Sequence, residues 1–91
     1  MLVADLDDVT YDLEVDGEQV RRQLQRKVWE RHGWATVAIL FEERDRDGTS
    51  WKPPKLALIR LQHVREAWKK HAAITLSIDE ARELGAWIAA E

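Results

Sequence analysis

Residues 67–91 read AWKKHAAITLSIDEARELGAWIAAE, and this stretch decides the fold because its periodicity changes partway along. From Ala67 to Leu76 the residues alternate in a way that is typical of a strand. Ser77 and Glu80 then have the spacing of a capping box, in which each side chain satisfies a backbone N–H of the other residue. The sequence therefore predicts a strand that runs directly into a C-terminal helix. We expect this helix to cover one face of a sheet.

The C-terminal helix carries two overlapping patterns. Its apolar side chains recur at helical spacing and predict a stripe facing a core, formed by Ile78, Ala81, Leu84 and Ile88. Gly85 lies in the interior of the predicted helix, where glycine costs about 1 kcal/mol of stability relative to alanine. A close backbone approach would justify that cost, either from the chain's own sheet or from a second copy. The second alternative predicts a homodimer whose interface comprises Ala81, Leu84, Gly85, Ile88 and Ala89.

Two more strands are predicted before this stretch. Residues 34–42 are apolar or small on both faces, which indicates a strand in the centre of a sheet. Residues 55–64 also alternate, and Pro53-Pro54 directly before them cannot donate to a central ladder. A charged segment with Asp47-Gly48 at its tip predicts the connecting loop.

The first 17 residues carry weaker signals. Residues 1–8 are acidic and hardly periodic, so we expect a loose N-terminus. Residues 9–15 alternate, and Asp16-Gly17 after them is a dipeptide typical of a hairpin turn.

Residues 18–32 allow two interpretations. Val20, Leu24 and Val28 recur every four residues, as they would in a helix, but they also share one face of a strand. The residues alone favour the helix. The predicted fold class is α+β: an antiparallel sheet of four strands, or of five if residues 9–15 pair, followed by a C-terminal helix.

Length and composition restrict the class of protein. A chain of 91 residues is expected to form a single domain, residues 1–91. It contains no cysteine, which excludes disulfides and thiolate sites. No apolar run is long enough to span a bilayer, and no signal peptide is evident. We therefore expect a cytoplasmic protein that has no membrane partner.

Charge is segregated along the chain despite a formal net charge of -3. Residues 1–18 hold seven acids and no Lys or Arg, and residues 79–91 hold four acids and one Arg. Residues 19–78 hold 13 basic residues against six acids, a net charge of +7. Such a basic centre can create a field that attracts nucleic acid, although the same charges can simply be solvated.

Three motifs occur in order: Gly33-Trp34 at the start of a strand, Trp51-Lys52-Pro53-Pro54-Lys55 before the next, and Ile74-Thr75-Leu76-Ser77-Ile78-Asp79-Glu80 at the strand–helix junction. In this order they resemble the Positive Cofactor Four family of single-stranded-DNA-binding transcriptional coactivators and its bacterial relatives. The resemblance covers residues 33 to 88. It implies a four-stranded antiparallel sheet with one C-terminal helix, dimerisation through that helix, and strand rather than helix for residues 18–32.

Binding of single-stranded nucleic acid requires positive charge along the phosphates and flat side chains that stack on bases. Trp51 is the first candidate for stacking because it lies in a loop beside Lys52 and Lys55. Arg60 interrupts an apolar strand, where it either pairs with Glu42 or Glu43 or contacts a phosphate. The predicted nucleic-acid-binding residues are Trp51, Lys52, Lys55, Arg60, Trp68, Lys69, Lys70, His71, Arg22 and Arg26.

The expected function is therefore low-specificity binding of single-stranded DNA, or less favourably RNA, in transcription or DNA maintenance. The alternative is a protein-interaction or assembly module with no nucleic-acid ligand. The three histidines match no metal motif, and no catalytic motif is present, so we expect no enzyme activity, cofactor, metal or small-molecule substrate. A further hypothesis is that residues 1–18 fold over the basic face and inhibit binding.

Overall fold

The structure is a computed structural model that describes residues 2–91, and it contains a six-stranded antiparallel half-barrel sheet followed by one α-helix. The strands are β1 (Leu2–Val3), β2 (Leu13–Val15), β3 (Glu18–Arg31), β4 (Trp34–Glu43), β5 (Lys55–Val64) and β6 (Ala67–Ser77), and the helix is α1 (Ile78–Ala89). Their order across the sheet is β1-β6-β5-β4-β3-β2. The α+β class and the C-terminal helix were predicted, but the prediction of four or five strands is wrong.

The additional strand comes from the segment that was expected to be a loose terminus. In β1, Leu2 pairs with Lys69 and Val3 with Trp68, and a 3₁₀ turn follows at Leu6–Asp8. Met1 lies outside the described residues. A strand of two residues has no detectable alternation, which is why the sequence did not reveal it.

The ambiguous segment is strand β3. A bulge between Gln23 and Gln25 shifts the register, so Val20 and Val28 lie on opposite faces of β3 and the expectation that they share one face is wrong. The long antiparallel ladder with β4 stabilises strand over helix, so tertiary pairing overrides the local pattern.

Tight turns fix the register of the hairpins. Asp16 and Gly17 have φ angles of 53° and 81°, and His32 and Gly33 have φ angles of 53° and 77°. Two consecutive residues with positive φ are the mark of a type I′ turn, which matches the twist of the strands that it joins. The hairpin turn predicted at Asp16-Gly17 is confirmed, although its first strand, β2, has only three residues.

One face of the sheet, which we call the core face, is buried. The alternation predicted for β4 and β5 is confirmed, and the inward side chains at 35–41 and 57–61 are nearly inaccessible. Residues 2–12, here called the N-terminal strap, cross this face and place Leu6 and Val9 in the core. The buried residues are Leu6, Val9, Ala35, Val37, Ile39, Phe41, Ala57, Ile59, Leu61 and Trp68.

The expectation that α1 covers the sheet is wrong, because α1 contains no buried residue. Ser77 is both the last residue of β6 and the N-cap of α1, and the expected capping box with Glu80 is formed. No loop separates strand from helix, and α1 makes most of its contacts with β6 and β5, the strands next to this junction. The strap covers the core face instead.

A second bulge divides β6 into two parts that face opposite sides. Trp68 and Lys70 align with the core-face residues of β5, whereas Ile74 aligns with Leu58 on the other side. The register shifts near His71, between Arg60 and Leu61 of β5. The prediction that Trp68 and Ile74 share a face is therefore wrong, because simple alternation does not anticipate the extra residue of a bulge.

Candidate nucleic-acid interface

The face of the sheet opposite the core is uncovered, and we call it the open face. On β4 it presents Trp34, Thr36, Ala38 and Leu40, all of them partly exposed. Two neighbouring cross-strand rows lie at the end near the β3–β4 turn. One row is Trp29, Thr36, Arg60 and Ala72, and the next is Arg31, Trp34, Gln62 and Lys69.

Three side chains of these rows, Trp29, Trp34 and Arg60, form what we call the Trp–Arg cluster together with His71 at the bulge of β6. The Arg60 guanidinium lies 4.9 Å from the centre of the Trp34 ring, and the His71 ring lies 5.0 Å from it. His71 Nε2 lies 2.9 Å from Gln62 Oε1, which orients the imidazole. Trp29 is 52% exposed and lines the same cleft of about 610 Å³ as Trp34 and Arg60. Aromatic planes beside cations are the combination that binds bases and phosphates.

Arg60 has no carboxylate partner among the described residues. Its Nη1 donates to Thr36 Oγ1 at 3.0 Å. The alternative salt bridge to Glu42 or Glu43 does not form, because Glu42 pairs with Arg22 and Glu43 pairs with Lys55 at 3.1 Å. A guanidinium has five N–H donors, so Arg60 keeps donors for an external anion.

Trp51, the first candidate for stacking, lies away from the Trp–Arg cluster. Its ring is contacted by two guanidinium groups, Arg22 at 4.0 Å and Arg44 at 4.5 Å from its centre. Both contacts are shorter than the 4.9 Å between Arg60 and the Trp34 ring, so they compete more strongly with a base for the ring of Trp51. Arg22 also donates to Glu42, so its charge is neutralised within the chain.

The loop before Trp51 is ordered by one carboxylate. The Ser50 hydroxyl donates to Asp45 Oδ2 at 2.6 Å, and the Thr49 backbone N–H donates to Oδ1 at 3.0 Å. These hydrogen bonds, that of Ser50 above all, lower the pKa of Asp45 to about 2. Asp45 therefore holds these hydrogen bonds as a carboxylate at neutral pH.

The other predicted binding residues are distributed over both faces. Lys69 lies on the open face beside the Trp–Arg cluster, and Lys52 is exposed in the loop. Lys55 and Lys70 align with the core face. Trp68 is only 7% exposed and its ring packs 4.9 Å from that of His63, so it does not offer a surface for stacking.

Arg26 is also on the core face, where it holds the strap. Its guanidinium donates to the carbonyl oxygens of Leu6, Asp7 and Val9, the last two at 3.3 and 3.1 Å. The acidic strap therefore lies on the core face, whereas the Trp–Arg cluster lies on the open face. This position contradicts the hypothesis that the strap folds over the basic open face.

Sequence reasoning did not select Trp29, Arg31 or Trp34 for the site. The role of Trp29 depends on whether residues 18–32 are strand or helix, and Trp34 begins the segment, residues 34–42, that the sequence predicts in the centre of the sheet. Both tryptophans lie on the same face of the sheet as Thr36 and Arg60. The sequence could show this only if the pairing of the strands were already known.

Part of the open face on β4, β5 and β6 is apolar and adjoins the start of α1. It is formed by Ala38, Leu40, Leu56, Leu58, Ile74 and Leu76. In α1 itself, Leu84, Trp87 and Ile88 are exposed. A Cβ built on Gly85 would meet no atom within 4 Å, so packing on its own sheet does not explain this glycine.

No protein-family model, curated protein or solved structure matches this chain, so the comparisons give the Positive Cofactor Four resemblance no support. Within residues 2–91, no helix is long and apolar enough to cross a bilayer. The same residues contain no cluster of three or more His, Asp or Glu side chains arranged to hold a metal ion.

Proposed function

We propose that this chain binds single-stranded nucleic acid, DNA in preference to RNA, with little sequence specificity and without catalysis. The observation that carries the proposal is the Trp–Arg cluster, in which an arginine with no carboxylate partner within residues 2–91 lies beside two solvent-accessible tryptophans. Stacking on a tryptophan is tolerant of sequence because every base has an aromatic face.

The charges around the cluster support the same function. Arg31 and Lys69 lie in one row with Trp34, and Arg60 lies in the next row. Neighbouring strands are about 4.8 Å apart and alternate residues on one face are about 6.6 Å apart along a strand. Several cations thus lie within reach of consecutive phosphates, whose binding releases counterions.

The proposal can be tested by titrating the protein into a fluorescent oligothymidylate at low and at moderate salt. We expect micromolar affinity at low salt that weakens as salt rises. Trp29→Ala should reduce the affinity about fivefold or more, since one base stack is worth about 1–3 kcal/mol. Trp87→Ala, which removes a similarly exposed ring from α1, is the matched control. Salt-independent binding, or equal effects of the two substitutions, would contradict the proposal.

We also propose that the protein is a homodimer whose interface includes α1. Leu84 and Ile88 are exposed, and the apolar part of the open face lies uncovered near the start of α1. Ala81, Gly85 and Ala89 provide a narrow strip along the helix for close approach, and no atom of the same chain lies within 4 Å of a Cβ placed on Gly85.

The same exposed helix supports a second candidate function, a protein-interaction or assembly module with no nucleic-acid ligand. A surface rich in Leu, Ile and Trp is typical of a binding patch. This candidate is favoured if the purified protein carries no nucleic acid, fails the titration above and retrieves one defined protein partner through α1.

A further inference from the structure

The outer edge of β3 is unpaired over half of its length. Strand β2 pairs with β3 only at Glu18, Gln19 and Arg21. The backbone N–H of Gln23 donates a hydrogen bond to Asp12 Oδ1 at 2.8 Å. No described strand pairs with the outer edge from Gln25 to Arg31, although the other edge of β3 is fully paired with β4.

The backbone groups that point outward from this edge can be identified. The two-residue turn at His32-Gly33 makes Arg31 and Trp34 a hydrogen-bonded pair. Because hydrogen-bonded and non-hydrogen-bonded pairs alternate in an antiparallel ladder, Trp29 and Lys27 also bond to β4. The N–H and C=O groups of Arg26, Val28 and Glu30 therefore point away from the sheet. The bond from Arg44 N to Val20 O, farther along the ladder, fits the same alternation.

Only one symmetric register brings opposite charges together along this edge. If two β3 strands pair antiparallel with Val28 opposite Val28, Arg26 faces Glu30 and Lys27 faces Trp29. In such a pair the residue on the twofold axis faces its own copy. An axis at Arg26, Lys27 or Glu30 therefore places two like charges opposite each other. An axis at Trp29 places Lys27 opposite Arg31, which are also like charges. The free edge of β6, residues 70–77, contains no acid that could select a register with its basic residues.

We propose that a second copy of this chain pairs through the outer edge of β3, with Val28 on the twofold axis, to form one continuous antiparallel sheet. Arg26, Val28 and Glu30 of each copy then exchange backbone hydrogen bonds. Val28, 38% exposed, gains an apolar neighbour across the axis. Lys27 and Trp29 both lie on the open face, so the pairing joins the two Trp–Arg clusters into one surface.

This contact is independent of the nucleic-acid proposal and of the α1 dimer. Helix α1 follows β6, which lies on the other side of β4 and β5 from β3. Both contacts can therefore form at once, and two different twofold interfaces on one chain produce assemblies larger than a dimer.

Cysteine cross-linking tests the register directly, because the natural chain has no cysteine. In a hydrogen-bonded antiparallel pair the Cα atoms are about 5.5 Å apart, within the range of a disulfide. We expect Val28→Cys to form a covalent dimer under mild oxidation. Leu24→Cys on the same strand is the matched control, since its two copies would lie about 26 Å apart at 3.3 Å per residue. Cross-linking should be about ten times faster for Val28→Cys, because pairing raises the effective thiol concentration.

A second variant tests the hydrogen bonds. Val28→Pro removes an N–H that points away from β4, so the ladder within the chain keeps its bonds. We expect sedimentation equilibrium to give a lower average mass for Val28→Pro than for the Val28→Thr control. Circular dichroism and a cooperative thermal transition establish that both variants fold. Equal cross-linking rates for the two cysteine variants, or equal masses for Val28→Pro and Val28→Thr, would overturn the proposal.

Discussion

At the scale of single residues, the structure gives different positions and contacts to arginines for which the sequence predicts the same binding role. Arg60 points from the open face towards solvent and stacks on Trp34, whereas Arg26 points to the core face and holds backbone carbonyls of the strap. Both were predicted to bind nucleic acid. The bulge near Leu24 places Arg22 and Arg26 on opposite faces, although an unbroken strand would keep them together.

Replacing Arg26 should affect stability rather than binding. Arg26→Met removes charge-assisted hydrogen bonds to the strap, and we expect the free energy of unfolding to fall by about 1.5–3 kcal/mol. Urea denaturation measures this change. Arg31→Met, an exposed position on the same strand, should cost less than about 0.5 kcal/mol. A loss of oligonucleotide affinity in folded Arg26→Met, with unchanged stability, would show that Arg26 has the role first predicted for it.

At the scale of elements, α1 is a helix with good local signals and little tertiary packing. Its capping box is formed, and the hydrogen bonds from Ser77 lower the pKa of Glu80. Nevertheless none of its residues is buried, so most of its apolar side chains remain available for another chain. A helix of 12 residues is marginal in isolation, and contact with a partner would supply the packing that it lacks.

Gly85→Ala distinguishes a free helix from a dimer contact. Beyond the adjacent backbone of α1, no atom of the chain lies within 4 Å of the added methyl group, so we expect dilute monomer to gain about 1 kcal/mol in stability. If two helices cross at Gly85, overpacking of about 1–3 kcal/mol should weaken the dimer about fivefold or more. Sedimentation equilibrium measures the association. Glu83→Ala, a substitution to the same residue on the same helix, is the control, and equal association of both variants would contradict a crossing at Gly85.

At the scale of the whole molecule, the two faces of one sheet are covered by different means. The strap closes the core face within the chain, while the open face stays accessible at both its basic and its apolar ends. Because the acidic strap lies on the side opposite the Trp–Arg cluster, we expect it to stabilise the fold rather than to compete with nucleic acid.

Truncating Leu6 tests the role of the strap. Leu6 is 9% exposed and Leu2, in the same segment, is 66% exposed. We expect Leu6→Ala to lower the free energy of unfolding by about 2–5 kcal/mol. Leu2→Ala should change it by less than about 0.5 kcal/mol, as is usual at the surface. Calorimetry measures the difference. Tighter oligonucleotide binding by folded Leu6→Ala would instead support inhibition by the N-terminal segment.

Much of the fold was accessible from local pattern. The alternation of β4 and β5, the turn at Asp16-Gly17 and the capping box at Ser77 each follow from interactions between near neighbours. What the sequence did not reveal depends on contacts between distant segments: the pairing of Leu2–Val3 with β6, the burial of Leu6 and the direction of α1. The cluster around Arg60 also depends on such contacts, because its members come from four strands whose relative register only the folded sheet defines.

The bulge near His71 also determines the geometry of everything that follows it. Residues after the bulge are out of phase with Trp68 by one position, so Ile74 and Leu76 face the side opposite the buried ring. Since Ser77 passes directly into α1, the same phase sets the side from which the helix leaves. If one residue were deleted at the bulge, every later residue of β6 would face the opposite side of the sheet. The side of the sheet that each residue after His71 faces, and the side from which α1 leaves, therefore depend on this one extra residue.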